Sequence, residues 1–129
     1  MLRAVLLALA LALPAAAQEG PERVSPEEFE ALSTGRTLFF RHGDDGPAGA
    51  EQYLAGRRAI WKTAEGSCLR GVWAEAGQDI CFAYEDAPGL WQCWEVWRDD
   101  DGLFARPSGA GPEASALRVS GMSERPLDC

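Results

Sequence analysis

Histidine is nearly absent from this sequence, which has His42 alone, and none of its four cysteines forms a C-x-x-C pair. The first shortage excludes a His-rich catalytic zinc site, and no H-E-x-x-H pattern is present. The second removes the usual redox motif, the haem-attachment motif and zinc-knuckle spacing in one step. Basic residues are also scarce, 12 Lys and Arg against 20 Asp and Glu. A net charge of −8 disfavours a protein that tracks nucleic-acid phosphates or anionic membrane surfaces, since both need clustered cations. There is no G-x-S-x-G elbow to present a nucleophilic serine. At 129 residues the chain is expected to form one small domain, too short for a two-domain enzyme. Neither a cofactor nor a metal site is signalled.

Long apolar runs are confined to the N-terminus. Arg3 gives a short positive start, Ala4 to Leu13 form the run, and Pro14 breaks it ahead of Ala15-Ala16-Ala17. This is the pattern of a secretory signal peptide, residues 1–17, with cleavage after Ala17. The run is about half of what a bilayer span requires, and no Cys follows the cleavage site to carry a lipid. The expected product is periplasmic or secreted and has no membrane span after cleavage. Removing residues 1–17 takes away only Arg3 among the charged residues, so 11 basic and 20 acidic residues remain.

All four cysteines, Cys68, Cys81, Cys93 and Cys129, lie in that exported portion. An even count in an oxidising compartment argues for two disulfide bonds.

After a linker over residues 18–24, Ser25-Pro26-Glu27-Glu28 reads as a capping box. Ser25 accepts from first-turn amides, Pro26 fits the first helical position and Glu28 reaches back. A helix of about two turns is expected to end near Leu32, with Phe29 and Leu32 sharing a buried face and Gly35 closing it. Eight short period-two runs follow: Thr37–Arg41, Ala50–Leu54, Arg58–Thr63, Leu69–Glu75, Asp79–Glu85, Leu90–Arg98, Leu103–Arg106 and Leu117–Ser120. Glycine, proline and aspartate mark the breaks. The expected fold is mainly β. It is an antiparallel meander of seven to eight short strands forming a small barrel or a strongly curved sheet, capped or plugged by one short N-terminal helix. The β-rich domain spans 25–120, and a tail over 121–129 ends in Cys129.

A set of spaced residues resembles small exported alphaproteobacterial proteins of unknown function. These are Gly35-Arg36-Thr37-Leu38, Gly49-Ala50-Glu51-Gln52-Tyr53, Arg57-Arg58-Ala59-Ile60-Trp61, Cys68-x-x-Gly71-x-Trp73, Ile80-Cys81-Phe82-x-Tyr84 and Cys93-Trp94. The likeness covers about Gly35 to Arg98. It implies an exported β-rich domain and assigns no catalytic residue.

Hairpin geometry suggests the cysteine pairing. If Glu85–Gly89 is the loop, Cys81 lies opposite Cys93 at a separation a cross-strand disulfide can use, leaving Cys68 for Cys129. The same register sets Asp79 against Glu95, an unfavourable like-charge pair. A one-residue slip removes both features. The Cys81–Cys93 and Cys68–Cys129 map is preferred over the two alternatives. Closing a segment of about 62 residues through Cys68 and Cys129 adds on the order of 4 kcal/mol and pins the tail.

Chemically active residues are few. His42 precedes Gly43-Asp44-Asp45-Gly46 at a turn, so an imidazole–carboxylate dyad is conceivable, but a solvated loop histidine is the simpler account. Asp99-Asp100-Asp101-Gly102 lacks the spaced ligands of a calcium loop and fits a hairpin turn. No pair among the twenty carboxylates is selected for glycoside hydrolysis.

Five tryptophans, Trp61, Trp73, Trp91, Trp94 and Trp97, are the compositional oddity. On the strand Leu90–Arg98 alternation sends Trp91, Cys93, Glu95 and Trp97 to one face and Gln92, Trp94, Val96 and Arg98 to the other. Large aromatics filling a small core account for most of them. The functional alternative is a surface or barrel mouth formed by Trp94, Trp97 and Trp61, with Arg57 and Arg58 holding a ligand carboxylate or phosphate. The expected activity is therefore non-catalytic binding of an apolar small molecule or a periplasmic protein. The alternative is a small carboxylate-dependent hydrolase with His42 or the acidic residues near Glu51 assisting, which expects Glu51, His42 and the Asp44-Asp45 pair to form one concave cluster.

Overall fold

In the computed structural model the described residues are 20–129 together with Ala12, Pro14 and Ala15. But for those three, the expected signal peptide over residues 1–17 lies outside the described residues. The first described element, β1 (Glu22–Arg23), falls within the stretch expected to be a linker and pairs antiparallel with a later strand.

Ser25 then caps α1 (Pro26–Ser33), its side chain accepting from the Glu28 amide at 3.1 Å. Pro26 occupies the first turn, where its missing N–H costs nothing. Glu27 and Glu28 complement the helix dipole there. Phe29 is buried, and Leu32 packs against the same core. Gly35, at φ +80°, takes the left-handed turn by which the chain leaves the helix.

Eight strands follow: β2 (Thr37–His42), β3 (Pro47–Leu54), β4 (Arg58–Thr63), β5 (Cys68–Ala76), β6 (Asp79–Tyr84), β7 (Gln92–Asp99), β8 (Gly102–Pro107) and β9 (Leu117–Ser123). Successive strands from β2 to β9 pair antiparallel, and β9 pairs back on β2. The meander is therefore closed, which resolves the choice between barrel and curved sheet in favour of an eight-stranded barrel. β1 adds a ninth strand beside β7, below the point where β6 leaves it. Closure removes the free edges that an open sheet exposes.

The registers fix which residues point inward. Glu51 is opposite Leu38 and Trp61, Tyr53 opposite Ala59, Trp73 opposite Phe82, Ile80 opposite Trp94, and Val96 opposite Ala105. Apart from Glu51, this inward set is apolar and aromatic. The outer faces carry Lys62, Arg70, Glu95 and Arg106, the reverse of a barrel that faces lipid. No helix among the described residues is long and apolar enough to cross a membrane.

Both disulfides form as the hairpin geometry suggested. Cys81 and Cys93 are register partners on β6 and β7. Cys68, at the start of β5, joins Cys129. The tail to Cys129 crosses the outer face of four strands in turn. Thr37 Oγ1 donates to the Arg125 carbonyl, the Leu127 amide donates to Gln52 Oε1, Lys62 Nζ donates to the Asp128 carbonyl, and the disulfide reaches β5. Thr37, bonded to this strap, is buried, and so is the outward-facing Ala50.

The feared clash of Asp79 with Glu95 is absent because the β6–β7 ladder stops at Ile80 and Trp94. Arg23 of β1 occupies the gap. Its guanidinium pairs with Asp79 and also lies 3.4 Å from Glu95, while its Cζ sits 5.1 Å over the Trp97 ring.

Candidate functional site

The two ends of the barrel differ. At one end α1 lies across the opening. Phe29 meets Tyr53 and Trp73 edge-on, with ring centroids 5.2 and 5.7 Å apart. The Glu30 carboxylate, on the same helix, accepts two bonds from Arg57 at 2.9 and 3.0 Å. At the other end the β6–β7 connection is long. β6 leaves β7 after the Phe82–Gln92 pair and continues alongside β5 to Tyr84. The intervening residues splay, so that Asp86, Ala87 and Leu90 line an opening.

Behind that opening is a cavity of about 290 Å³, near the low end of the size range of small-molecule sites. Phe29 forms its floor, and its walls include Phe40, Trp61, Phe82 and Trp94. Two glycines shape it. A Cβ on Gly71 would lie 2.6 Å from the Tyr84 ring, and one on Gly49 would lie 2.5 Å from the Trp61 indole. Each aromatic ring thus occupies space that only a glycine on the adjacent strand leaves open.

The polar groups are few and convergent. Glu51, on β3, is 4% exposed, and its Oε1 accepts from the Tyr84 hydroxyl, on β6, at 2.8 Å. Burial raises the Glu51 pKa from the ordinary 4.5 to about 8, against the lowering effect of the Tyr84 bond. Desolvation is the larger effect because an isolated carboxylate in apolar surroundings loses its hydration. Tyr53 and Tyr84 are both pushed up, first by burial and then by the nearby Glu51 charge, so both phenols stay protonated. Gln92 also reaches the lining. Among the described residues that line the cavity there is no Lys, Arg or His.

The structure divides the residues singled out from the sequence. Trp61 and Trp94 line the cavity as a pair. Trp97 does not join them: it faces outward, with Arg23 and Arg106 at 5.1 and 5.7 Å from its ring. Arg57 and Arg58 do not approach the opening. Arg57 sits in the β3–β4 turn at the helix-covered end, over the Trp73 ring at 4.7 Å, and is engaged by Glu30 and Glu75. Arg58 is exposed, and its Nε donates to the Ala55 carbonyl. Their role is to fasten the helix and shape the turn. His42, Asp44 and Asp45 are all exposed around the β2–β3 turn, while Glu51 is buried, so the residues named for the hydrolase reading do not assemble. No group of three or more His, Cys, Asp or Glu among the described residues is placed to hold a metal ion.

The Tyr84–Glu51 pair escaped sequence reading because its phase is hidden. On β3 the apolar alternation favours Ala50 and Leu54 as inward residues, yet Glu51 and Tyr53 point in. The strap covers the outer face and reverses the usual preference. Tyr53, in phase with Glu51, was the available signal.

Compared with known proteins, the chain matches no family model, no curated protein and no solved structure.

Proposed function

We propose that this protein is a non-catalytic binding module of the bacterial periplasm or exterior, holding one small, largely apolar molecule inside its barrel. The observation that carries this reading is the aromatic cavity, closed at one end by Phe29 and entered beside Leu90, with a single buried carboxyl at its wall. Eight-stranded barrels have interiors just wide enough either to be filled by side chains or to hold one small ligand. Here the glycines at 49 and 71 pull two rings to the wall. The two disulfides are consistent with an exported module. The N-terminal apolar run and the resemblance to small exported alphaproteobacterial proteins support the same compartment.

The test is calorimetric titration with octanol, which matches the roughly ten non-hydrogen atoms the volume admits at about 30 Å³ each. One molecule should bind per chain, and Ala105→Trp, which fills the cavity from β8, should abolish the heat while leaving the fold intact by circular dichroism. Undiminished binding in that variant would place the site elsewhere and count against the reading.

A further inference from the structure

We infer that the cavity selects an organic cation, a protonated amine on an apolar body, over an alcohol or a carboxylic acid of the same size. This deepens the binding function proposed above and rests on it. Three features of the lining carry it. The only ionisable groups able to carry a full charge are acidic, Glu51 within and Asp86 at the opening, and no described lining residue is basic. A ligand carboxylate entering here finds no guanidinium or ammonium to pair with, a desolvation cost with nothing to offset it. An ammonium group meets a carboxyl whose Oε1 is held in place by the Tyr84 hydroxyl.

The walls suit a cation for a second reason. Aromatic faces attract positive charge through their quadrupoles, and the attraction grows when water is excluded. Trp61, Trp94, Tyr84 and Tyr53 surround the interior with Glu51. The protein's net charge of −8 draws cations toward it from bulk solution and repels anions.

Amine binding carries a proton balance. Alone in the cavity Glu51 is neutral at neutral pH, having a pKa of about 8. When an ammonium enters, the carboxyl releases its proton to solvent and the ion pair forms in its place. The groups on the lining around Glu51 that titrate are Tyr53 on β3, Tyr84 on β6 and Asp86 beyond it. α1, β2, β4, β7, β8 and β9 present no titratable side chain to the described cavity. Tyr53 and Tyr84 stay protonated throughout the range, and Asp86 is exposed at the opening. Glu51 is thus the group whose ionisation the ligand drives.

The experiment compares octylamine, octanol and octanoate by calorimetric titration of the full chain, on the wild type and on Glu51→Gln. Octylamine should bind tightest and octanoate weakest. Octylamine affinity should rise by roughly tenfold per unit from about pH 6 to pH 8 as Glu51 becomes easier to ionise, while octanol affinity stays level. Glu51→Gln replaces a neutral carboxyl with a neutral amide of the same shape. It should lose the preference for octylamine over octanol and lose the pH slope of octylamine binding. Octanol binding with no preference for the amine, or with octanoate tightest, would overturn the cation selectivity and leave the binding function standing. Failure of all three ligands to bind would overturn the binding function itself, and the inference with it.

Discussion

The Tyr84 hydroxyl donates to Glu51 Oε1 at 2.8 Å across the barrel interior, joining β6 to a strand three places away in the sheet. The bond orients a carboxyl that burial keeps protonated at neutral pH. It is also the bond that lowers the pKa of Glu51, so Tyr84→Phe should raise that pKa further above 8. Carbon-13 NMR titration of the glutamate side-chain carboxyls reads this directly. A Glu51 resonance that titrates lower in the variant would contradict the arrangement.

Glu51 also gives the fold a pH dependence. The folded state holds a proton that the unfolded chain releases near the ordinary 4.5. Its contribution to stability is fully present below that value and is lost as pH rises to about 8, at up to ~1.4 kcal/mol per pH unit. Urea unfolding of the wild type relative to Glu51→Gln should show the difference growing in the variant's favour across this window. Parallel pH profiles would contradict a buried, neutral Glu51.

Gly71→Ala forces a Cβ to within 2.6 Å of the Tyr84 ring. The ring must shift, which disturbs its bond to Glu51, and overpacking of this kind costs about 1–3 kcal/mol. Thermal unfolding should show the loss. Gly77→Ala, where a Cβ would meet nothing within 4 Å, tests backbone strain alone, because Gly77 sits at φ +62°. An unchanged Glu51 titration in Gly71→Ala would mean that the ring is not confined as described.

Arg23→Ala leaves Asp79 and Glu95 without the guanidinium they share and uncovers one face of Trp97. The expected cost is about 1–2 kcal/mol, combining a partly exposed ion-pair network and a cation–π contact. Asp79→Ala in the same background should recover part of it by relieving the repulsion, a coupling that a double-mutant cycle measures. Strict additivity would show that Arg23 does not bridge the pair.

Cys68→Ser with Cys129→Ser releases the strap. The variant should lose up to ~4 kcal/mol by the loop-entropy estimate and expose the outer faces of Thr37 and Ala50 to amide exchange, yet keep the cavity, which lies on the opposite face of the sheet. Loss of octanol binding at a temperature where the variant is folded would contradict that separation.

Much of the meander was legible in the sequence because strands and hairpin turns are local signals, whereas closure joins β2 to β9 across the length of the domain. The eight strands of the barrel could be read from period-two runs between glycine and proline breaks, and Ser25 with Gly35 bracketed the helix. The disulfide between Cys81 and Cys93 followed from one hairpin register. What could not be read depends on contacts between distant segments. β1 is two residues long, too short for a periodic signal, and is held by β7 and by Arg23 with its two carboxylate partners. The inward phase of Glu51 depends on a strap more than seventy residues away in sequence, whose Leu127 amide reaches Gln52. Trp94 and Trp97 sit three apart on one strand and so fall on opposite faces, a separation that alternation had already set. Only Trp94 therefore joins Trp61 at the cavity, and Arg57 is held at the helix-covered end by Glu30, a partner to which nothing in the sequence links it.

The most direct test of the account is a nitrogen-15 correlation spectrum of the five indole N–H groups during octanol titration. The account predicts that the Trp61 and Trp94 signals move with saturable one-to-one behaviour while outward-facing Trp97 stays fixed. Movement of Trp97 with Trp61 and Trp94 unchanged would place binding on the outer wall and contradict a ligand held inside the barrel.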